Sequence, residues 1–347
     1  MRIIAKNLRL SLFEIGFAGL KDKHGLTKQY ISIPAKFNIK NKEIKNIKLK
    51  FVGYNNKKIK TGYLKGNKFT ITVRNIQKGD TPGFYSRAKT ISDIGVPNYF
   101  DSQRFGSVIN NEFIARYLIQ KNYEQAVKIF LTNYSKFEYK KIKDEKRKIL
   151  ANWKNLESIY VENKILKSVI DEYLKKSSWI DAYKKITPNL REMFVNAYQS
   201  YLWNECIKEL LKRIVAKERL YNINYNIGFL LFYKKLIDIE IEKIPITFQT
   251  ISPPMRFSSE LEEEIINSII LKENIRLENL DIEKETSNFF KARQRDTILK
   301  PQGFYISEPE IDEVNNKENK KRYKITLSFI LPKGCYATIV TKRIFGH

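Results

Sequence analysis

Gly16-Phe17-Ala18-Gly19-Leu20-Lys21-Asp22-Lys23-His24-Gly25-Leu26-Thr27-Lys28-Gln29 is the stretch whose reading decides the fold. A largely apolar run from Phe13 to Leu20 breaks at an aspartate between two lysines. The chain then restarts as a strand-like segment from Gln29 to Pro34. Three glycines in ten residues predict tight backbone conformations, because glycine takes positive φ at little steric cost. Asp22 is therefore a carboxylate on a shaped loop between two ordered elements, where functional residues are often carried. A plain solvated turn would give the same pattern, so the surrounding sequence has to separate the two.

Charge is the strongest global signal. The 347 residues hold 64 Lys+Arg against 38 Asp+Glu, a net charge of +26, which favours a polyanionic partner and nucleic acid above all. The excess is uneven. Residues 1–94 hold 21 basic and 5 acidic side chains, whereas residues 95–300 hold 35 and 28. A lysine-rich background explains part of this, but not its concentration around Asp22. With 42% hydrophobic residues the chain can bury substantial cores, and its length suits two domains. No apolar stretch is long enough to span a bilayer and no signal peptide opens the chain, so a cytoplasmic protein is expected.

Scarce residues remove whole chemistries. Only His24 and His347, and only Cys206 and Cys335, are available, so zinc sites built from closely spaced Cys and His are excluded. There is no Gly-x-Ser-x-Gly elbow, no phosphate-binding Gly-x-x-x-x-Gly-Lys-Ser/Thr loop and no Gly-x-Gly-x-x-Gly fingerprint. Carboxylate, lysine, arginine, tyrosine and backbone chemistry remain.

Periodicity organises the rest. Residues 1–12 read as an amphipathic helix with no capping residue before it. Ile47, Leu49 and Phe51 alternate with lysines, and Phe69, Ile71 and Val73 alternate with Thr70, Thr72 and Arg74, predicting strands. Lys65-Gly66-Asn67 reads as a turn entering the second strand, as an ordinary hairpin would supply. Gly95 to Gly106 is punctuated by Gly and Pro; its aromatics, Gln103 and Arg104 suit either RNA contact or packing at a domain junction. From Ser107 to about Leu220 the pattern is helical, with Phe194, Ala197, Tyr198, Tyr201, Leu202 and Ile207 forming an apolar stripe that suits a core. Glu260 to Leu271 predicts a short helix, and Arg293 to Thr297 a basic turn that suits either a phosphate contact or the cap of an element. At the end, Ile325, Leu327, Phe329 and Leu331 alternate, Pro332-Lys333-Gly334 turns, and Tyr336 to Thr341 reads as the returning strand of a hairpin.

These stretches, taken in order, resemble the TruD family of tRNA pseudouridine synthases. Ala18-Gly19-Leu20-Lys21-Asp22-Lys23-x-x-Leu26-Thr27-x-Gln29 is similar to the family's catalytic motif. Leu64-Lys65-Gly66-Asn67-x-Phe69 is similar to its second motif, and Val96-Pro97-Asn98-Tyr99-Phe100-x-x-Gln103-Arg104-Phe105-Gly106 to its third. Ala197-Tyr198-Gln199-Ser200-Tyr201-Leu202-Trp203-Asn204 and Gly334-Cys335-Tyr336-Ala337-Thr338 complete the series. Five motifs in order along most of the chain are specific where one alone is not.

The resemblance implies an α+β fold in two parts. Residues 1–94 and 301–347 would form a discontinuous catalytic domain with a mixed, largely antiparallel sheet and flanking helices. Residues 95–300 would form a mainly helical α/β TruD insertion domain. It also implies isomerisation of uridine to pseudouridine, at uridine 13 of the tRNA D arm, by a monomer that needs no metal or cofactor. Asp22 would be the catalytic aspartate, with Lys21, Lys23, Asn67, Phe69, Arg104 and Tyr336 contacting substrate. Asn67 would orient groups around Asp22, and Phe69 would pack against the target base. The pocket-wall position held here by Tyr336 is commonly phenylalanine in the family, so its hydroxyl requires a polar partner or solvent. An RNA-binding or chaperone protein with lost turnover is the competing reading. A carboxylate-dependent nuclease is a weaker one, because no other carboxylates cluster with Asp22.

Members of the family carry several dozen residues before the catalytic motif, including an acidic-aromatic segment that has no counterpart here. With the uncapped helix at Met1, this leads to the expectation of further upstream sequence. The 347-residue chain expressed alone should then show reduced stability and weak or no activity. Full turnover together with cooperative unfolding of that chain would overturn the expectation.

Overall fold

The computed structural model describes residues 1–22, 24–37, 39–317 and 320–346. The chain opens with α1 (Arg2–Leu8). The short strands β1 (Gly16–Phe17) and β2 (Ile31–Ser32) and the hairpin β3 (Lys42–Ile44) and β4 (Ile47–Leu49) follow, then β5 (Gly66–Ile76) and α2 (Thr81–Asp93). β6 (Val96–Pro97) leads into α3 (Ile114–Ile119), α4 (Tyr123–Thr132), α5 (Lys140–Ala151), α6 (Lys164–Lys176), α7 (Trp179–Lys185) and α8 (Pro188–Ile214). Next come the hairpin β7 (Leu220–Tyr225) and β8 (Gly228–Tyr233), α9 (Asp238–Lys243) and β9 (Thr247–Gln249). After them lie α10 (Glu260–Lys272), α11 (Glu283–Thr286), β10 (Gln294–Asp296) and β11 (Ile298–Leu299). The chain ends with β12 (Gln302–Ile306), β13 (Glu310–Ile311), β14 (Tyr323–Pro332) and α12 (Ala337–Phe345). This is an α+β fold, and every pairing among the described strands is antiparallel.

The principal sheet joins the two ends of the chain. β14 pairs along one edge with β12 and β13 and along the other with β5. Register runs unbroken from Gly66↔Pro332 to Val73↔Ile325, which stacks Phe69 opposite Phe329 and Ile71 opposite Leu327. These residues share one face because side chains alternate along a strand. Ile325, Leu327, Phe329 and Leu331 are fully buried on it. The register shifts beyond Val73. There Asn75 takes a left-handed φ of 61°, and the buried Asp312 accepts from Asn75 N at 2.8 Å and Arg74 Nη1 at 2.7 Å.

The helical stretch read between 107 and 220 becomes α3 to α8. Pro188 sits in the first turn of α8, where its missing N–H costs nothing. Asn163 caps α6 by accepting from Ile165 N and Leu166 N. The helix read over Glu260–Leu271 is α10, capped by Ser259 and acidic in its first turn, where carboxylates oppose the helix dipole. None of the described helices is long and apolar enough to cross a membrane.

Apolar burial divides into two clusters. The larger runs from Ile76 through the helices to Ile344. The smaller contains Ile4, Ala5, Leu10 and Ile15, flanked by half-buried residues including Ile31, Phe37, Ile47 and Leu49.

Three local expectations are corrected. Tyr336–Thr341 does not return as a strand: Ala337–Phe345 is α12. Both edges of β14 are already occupied, and Ile339, Val340, Arg343 and Ile344 form a buried helical stripe that overrides their β-branched preference. Lys65-Gly66-Asn67 is not a hairpin turn but the start of β5, whose partner is the distant β14. Arg293–Thr297 is not a turn, since Gln294–Asp296 pairs with β9.

The third motif is locked to α12 by a buried ion pair. Lys342 Nζ lies 2.8 and 2.7 Å from the two Asp101 carboxylate oxygens, and Asp101 is 1% exposed. Burial alone would raise the Asp101 pKa, but the Lys342 ammonium and the Ser102 N–H more than offset it and hold the carboxyl below its ordinary value. Asp101 therefore contributes stability above its unfolded pKa of about 3.9, and this is lost as pH falls through the lower folded-state value. Asp101→Ala leaves Lys342 facing a desolvated site and should cost about 3 kcal/mol, read from urea midpoints at pH 7. The gap between wild type and variant should shrink below pH 4.

Candidate active site

Asp22 lies on the loop between β1 and β2, whose two-residue pairing, Gly16↔Ser32 and Phe17↔Ile31, brings the loop ends together. None of the loop's three glycines takes the positive φ expected of it. Gly16 is required for closeness instead: a Cβ there would lie 2.3 Å from Ser32 Oγ and 2.5 Å from the Ile59 carbonyl oxygen. The segment 58–62 braces the loop from the side. Ile59 N donates to Ser32 Oγ at 2.9 Å, Gly62 N donates to the Ala18 carbonyl at 3.0 Å, and Lys58 Nζ donates to the Phe13 carbonyl.

Asp22 is exposed, and its Oδ1 accepts from His24 N at 2.9 Å, a local turn contact that leaves the other oxygen toward solvent. Its neighbour Lys21 is half-buried and does not extend into solvent. Lys21 Nζ donates to Asn67 Oδ1 at 2.5 Å, tying the aspartate loop to the first turn of the β5 pleat. Lys23 lies outside the described residues. Exposed Leu20, Leu26 and Tyr30 flank Asp22 on the same loop.

Asn67 and Phe69 are two residues apart on β5 and so point to one face. Phe69 is half-buried with its ring 5.8 Å from that of Phe329, which in turn stacks on Phe304 at 5.9 Å. β14 runs directly into the turn Lys333–Cys335, whose Lys333 Nζ donates to the Gly62 carbonyl at 3.4 Å. The end of β14 is thus linked back to the segment that braces the aspartate loop.

Tyr336 follows this turn at the N-cap of α12. Its hydroxyl has the polar partner that the sequence requires: Arg104 Nε donates to it at 3.2 Å. The Tyr336 ring meets Phe100 edge-on at 6.0 Å, and the Arg104 guanidinium lies over the same Phe100 ring at 5.2 Å. Lys21 with Asn67 and Arg104 with Tyr336 are therefore two assembled pairs, with Phe69 on the strand face between the motifs that supply them.

Sequence reasoning missed the groups that hold Phe100 itself. The buried Asn204 accepts from Phe100 N and donates to the Phe100 carbonyl, both at 2.9 Å, replacing a strand partner with one side chain. Arg295 also lies over Phe100, 4.2 Å from its ring centre and 5.1 Å from that of Trp203. Its guanidinium donates to the Asn98 carbonyl from Nε and Nη2 at 3.1 and 3.0 Å. It also donates to Asn98 Oδ1 at 2.6 Å and, from Nη1, to the Gly334 carbonyl at 2.9 Å. Burial holds its pKa below the ordinary arginine value, with the like charge of Arg104 adding to the effect. Asn98, Phe100, Trp203 and Asn204 stand inside recognisable motifs and could have been nominated. Arg295 stands in the basic segment read as a phosphate contact or a cap, and nothing in that segment marks it as a partner of Phe100.

The sequence model of the family described as tRNA pseudouridine synthase D (TruD) matches residues 1–344. The chain belongs to the TruD family. It is 43% identical over 351 residues to the probable tRNA pseudouridine synthase D 2 of Methanocaldococcus jannaschii, covering 99% of this chain and 81% of that protein. It is 30% identical to tRNA pseudouridine synthase D of Aquifex aeolicus, covering 99% and 87%. The crystal structure of a TruD protein from Methanosarcina mazei superposes with a TM-score of 0.72 at 25% identity, covering 99% of this chain and 83% of that one.

The Lys21–Asn67 contact makes a specific prediction about coupling within this TruD chain. If Lys21 serves the aspartate loop through Asn67, Lys21→Ala and Asn67→Ala should be strongly non-additive in single-turnover rate on tRNA. The coupling should exceed about 0.5 kcal/mol, as expected of residues in direct contact. Additive effects would mean that Lys21 acts elsewhere.

Proposed function

We propose that this chain isomerises uridine to pseudouridine in tRNA, at position 13 of the D arm, with Asp22 as the catalytic carboxylate. The observation that carries the proposal is the Lys21–Asn67 hydrogen bond of 2.5 Å. It fastens the exposed aspartate to the strand bearing Phe69 within a chain matched along residues 1–344 by the TruD family. We further propose that residues 1–94 and 301–347 act as one catalytic unit and residues 95–300 as its insertion. The β5–β14 pairing, which closes one sheet across the whole intervening stretch, supports that division.

The reaction makes modest demands. The N1–C1′ bond of uridine breaks, the base rotates, C5 bonds to C1′, and the C5 proton passes to solvent while N1 takes up a proton. Atoms and electrons balance without an oxidant, reductant or group donor. An aspartate carboxylate can start the sequence as nucleophile or base. The target base has to leave its stack first, at a cost of a few kcal/mol. Stacking on an aromatic wall offsets that at roughly 1–3 kcal/mol per base, and Phe69 and Tyr336 are the rings assigned to it here. Arg104, whose Nη groups are not engaged by a carboxylate among the described residues, is assigned to the RNA. The lysine excess of residues 1–94 supplies the salt-dependent backbone attraction.

The test uses tRNA tritiated at uridine C5. Wild-type protein should release tritium to water, slowly in keeping with the weak activity expected of the 347-residue chain, and Asp22→Ala should abolish that release while tRNA binding persists. A transcript with cytidine in place of uridine 13 should release nothing from that position. Tight tRNA binding without release by wild type would replace the isomerase with an RNA-binding protein.

A further inference from the structure

Arg295 is a half-buried guanidinium that forms no ion pair with a carboxylate among the described residues. Desolvating a charge is costly unless its donors are met. Here four of the five N–H groups are directed at three neutral oxygens: the Asn98 carbonyl, Asn98 Oδ1 and the Gly334 carbonyl. The flat faces of the group are also used, since Phe100 lies at 4.2 Å and Trp203 at 5.1 Å. One side chain from β10 thus touches the third motif, α8 and the turn that precedes Tyr336.

The turn depends on that contact. Gly334 takes a φ of 81°, a conformation that strains other residues, and its carbonyl is held by Arg295 Nη1. Two residues later Tyr336 receives the Arg104 hydrogen bond and meets Phe100. Arg104 and Arg295 therefore share the Phe100 ring but divide the work. Arg295 directs its donors into the protein, whereas among the described residues Arg104 commits only Nε, to Tyr336.

We propose that Arg295 is a positioning residue of the uridine pocket: it sets the Gly334–Tyr336 wall against Asn98–Phe100 and does not itself bind RNA phosphate. This rests on the isomerase reading given above. A planar five-donor fork is needed to span the three oxygens while stacked, which lysine cannot do. Misplacing a reacting group by about 1 Å costs on the order of a hundredfold in rate. Arg295→Met should therefore lower the single-turnover rate about a hundredfold at saturating protein, with the Kd for tRNA changed less than threefold. Arg295→Lys should restore little of that rate despite keeping the charge.

Two readouts separate a strut from an RNA ligand. A lost phosphate contact would weaken binding and reduce the slope of log Kd against log salt by about one; a lost strut leaves the slope unchanged. Hydrogen exchange of the amides around Gly334–Tyr336 should accelerate in both variants, while β5 and β14 keep wild-type protection. Unchanged exchange at that turn, a rate within twofold of wild type, or a salt slope reduced by one would each overturn the proposal. If wild type itself releases no tritium, the isomerase reading fails separately. The exchange comparison then still decides whether Arg295 holds the turn. Should Arg295→Met fail to fold, Arg295→Lys carries the same measurements.

Discussion

The antiparallel pairing of β5 with β14 is the constraint on which the molecule depends. It is a long-range contact, so the entropy of closing the long intervening chain opposes its formation. Once closed, its register fixes two sets of residues together. Asn67 stands opposite Leu331 and Phe69 opposite Phe329, so the β5 residues assigned to the pocket alternate in step with the most deeply buried side chains of β14. A slip of one residue would turn Phe69 and Asn67 to the other face. The same register delivers the Lys333–Cys335 turn to the segment beside the aspartate loop. Core packing and site geometry are thus a single requirement.

Away from the sheet, the parts are joined by polar groups buried at the junctions. Asn204 substitutes for a strand against Phe100, and Asp101 binds α12 through Lys342. Arg343, 1% exposed, donates to the Tyr233 and Lys234 carbonyls. Arg295 and Arg343 are therefore both held by backbone carbonyls and aromatic rings. Such contacts are directional and fail when geometry shifts by a fraction of an ångström, whereas apolar packing tolerates more. They explain how segments from four regions of the chain meet at one ring, that of Phe100.

Much of this was legible. The alternation at Phe69–Val73 and Ile325–Leu331 identified both central strands, and the periodicity after Ser107 identified the helices, because burial on one face imprints a repeat. The motif series led to the family and to Lys21, Asn67, Arg104 and Tyr336, which the fold brings into two contacting pairs. Tyr336–Thr341 misled because its β-branched residues favour strand, and only the fact that both edges of β14 are filled turns it into helix. Lys21 read as a substrate-contacting lysine, since nothing local shows that Asn67 lies beside it. Arg295 was unreadable for the same reason: its partners at Asn98, Trp203 and Gly334 are spread along the chain, and none is acidic.

The smaller apolar cluster has its own consequence. Among the described residues, only Ile4, Ala5, Leu10 and Ile15 are buried in it, while the strands that carry Phe69 and the turn before Tyr336 belong to the larger one. The aspartate loop is thus anchored on the thinnest part of the molecule. Regions with few buried contacts open on their own, at free energies well below that of global unfolding. Warming should uncouple the Asp22 loop from an otherwise intact scaffold, so that heat inactivation precedes melting and reverses on cooling. Bound tRNA spanning the two clusters would oppose that opening, making the substrate a thermal protectant of its own catalyst.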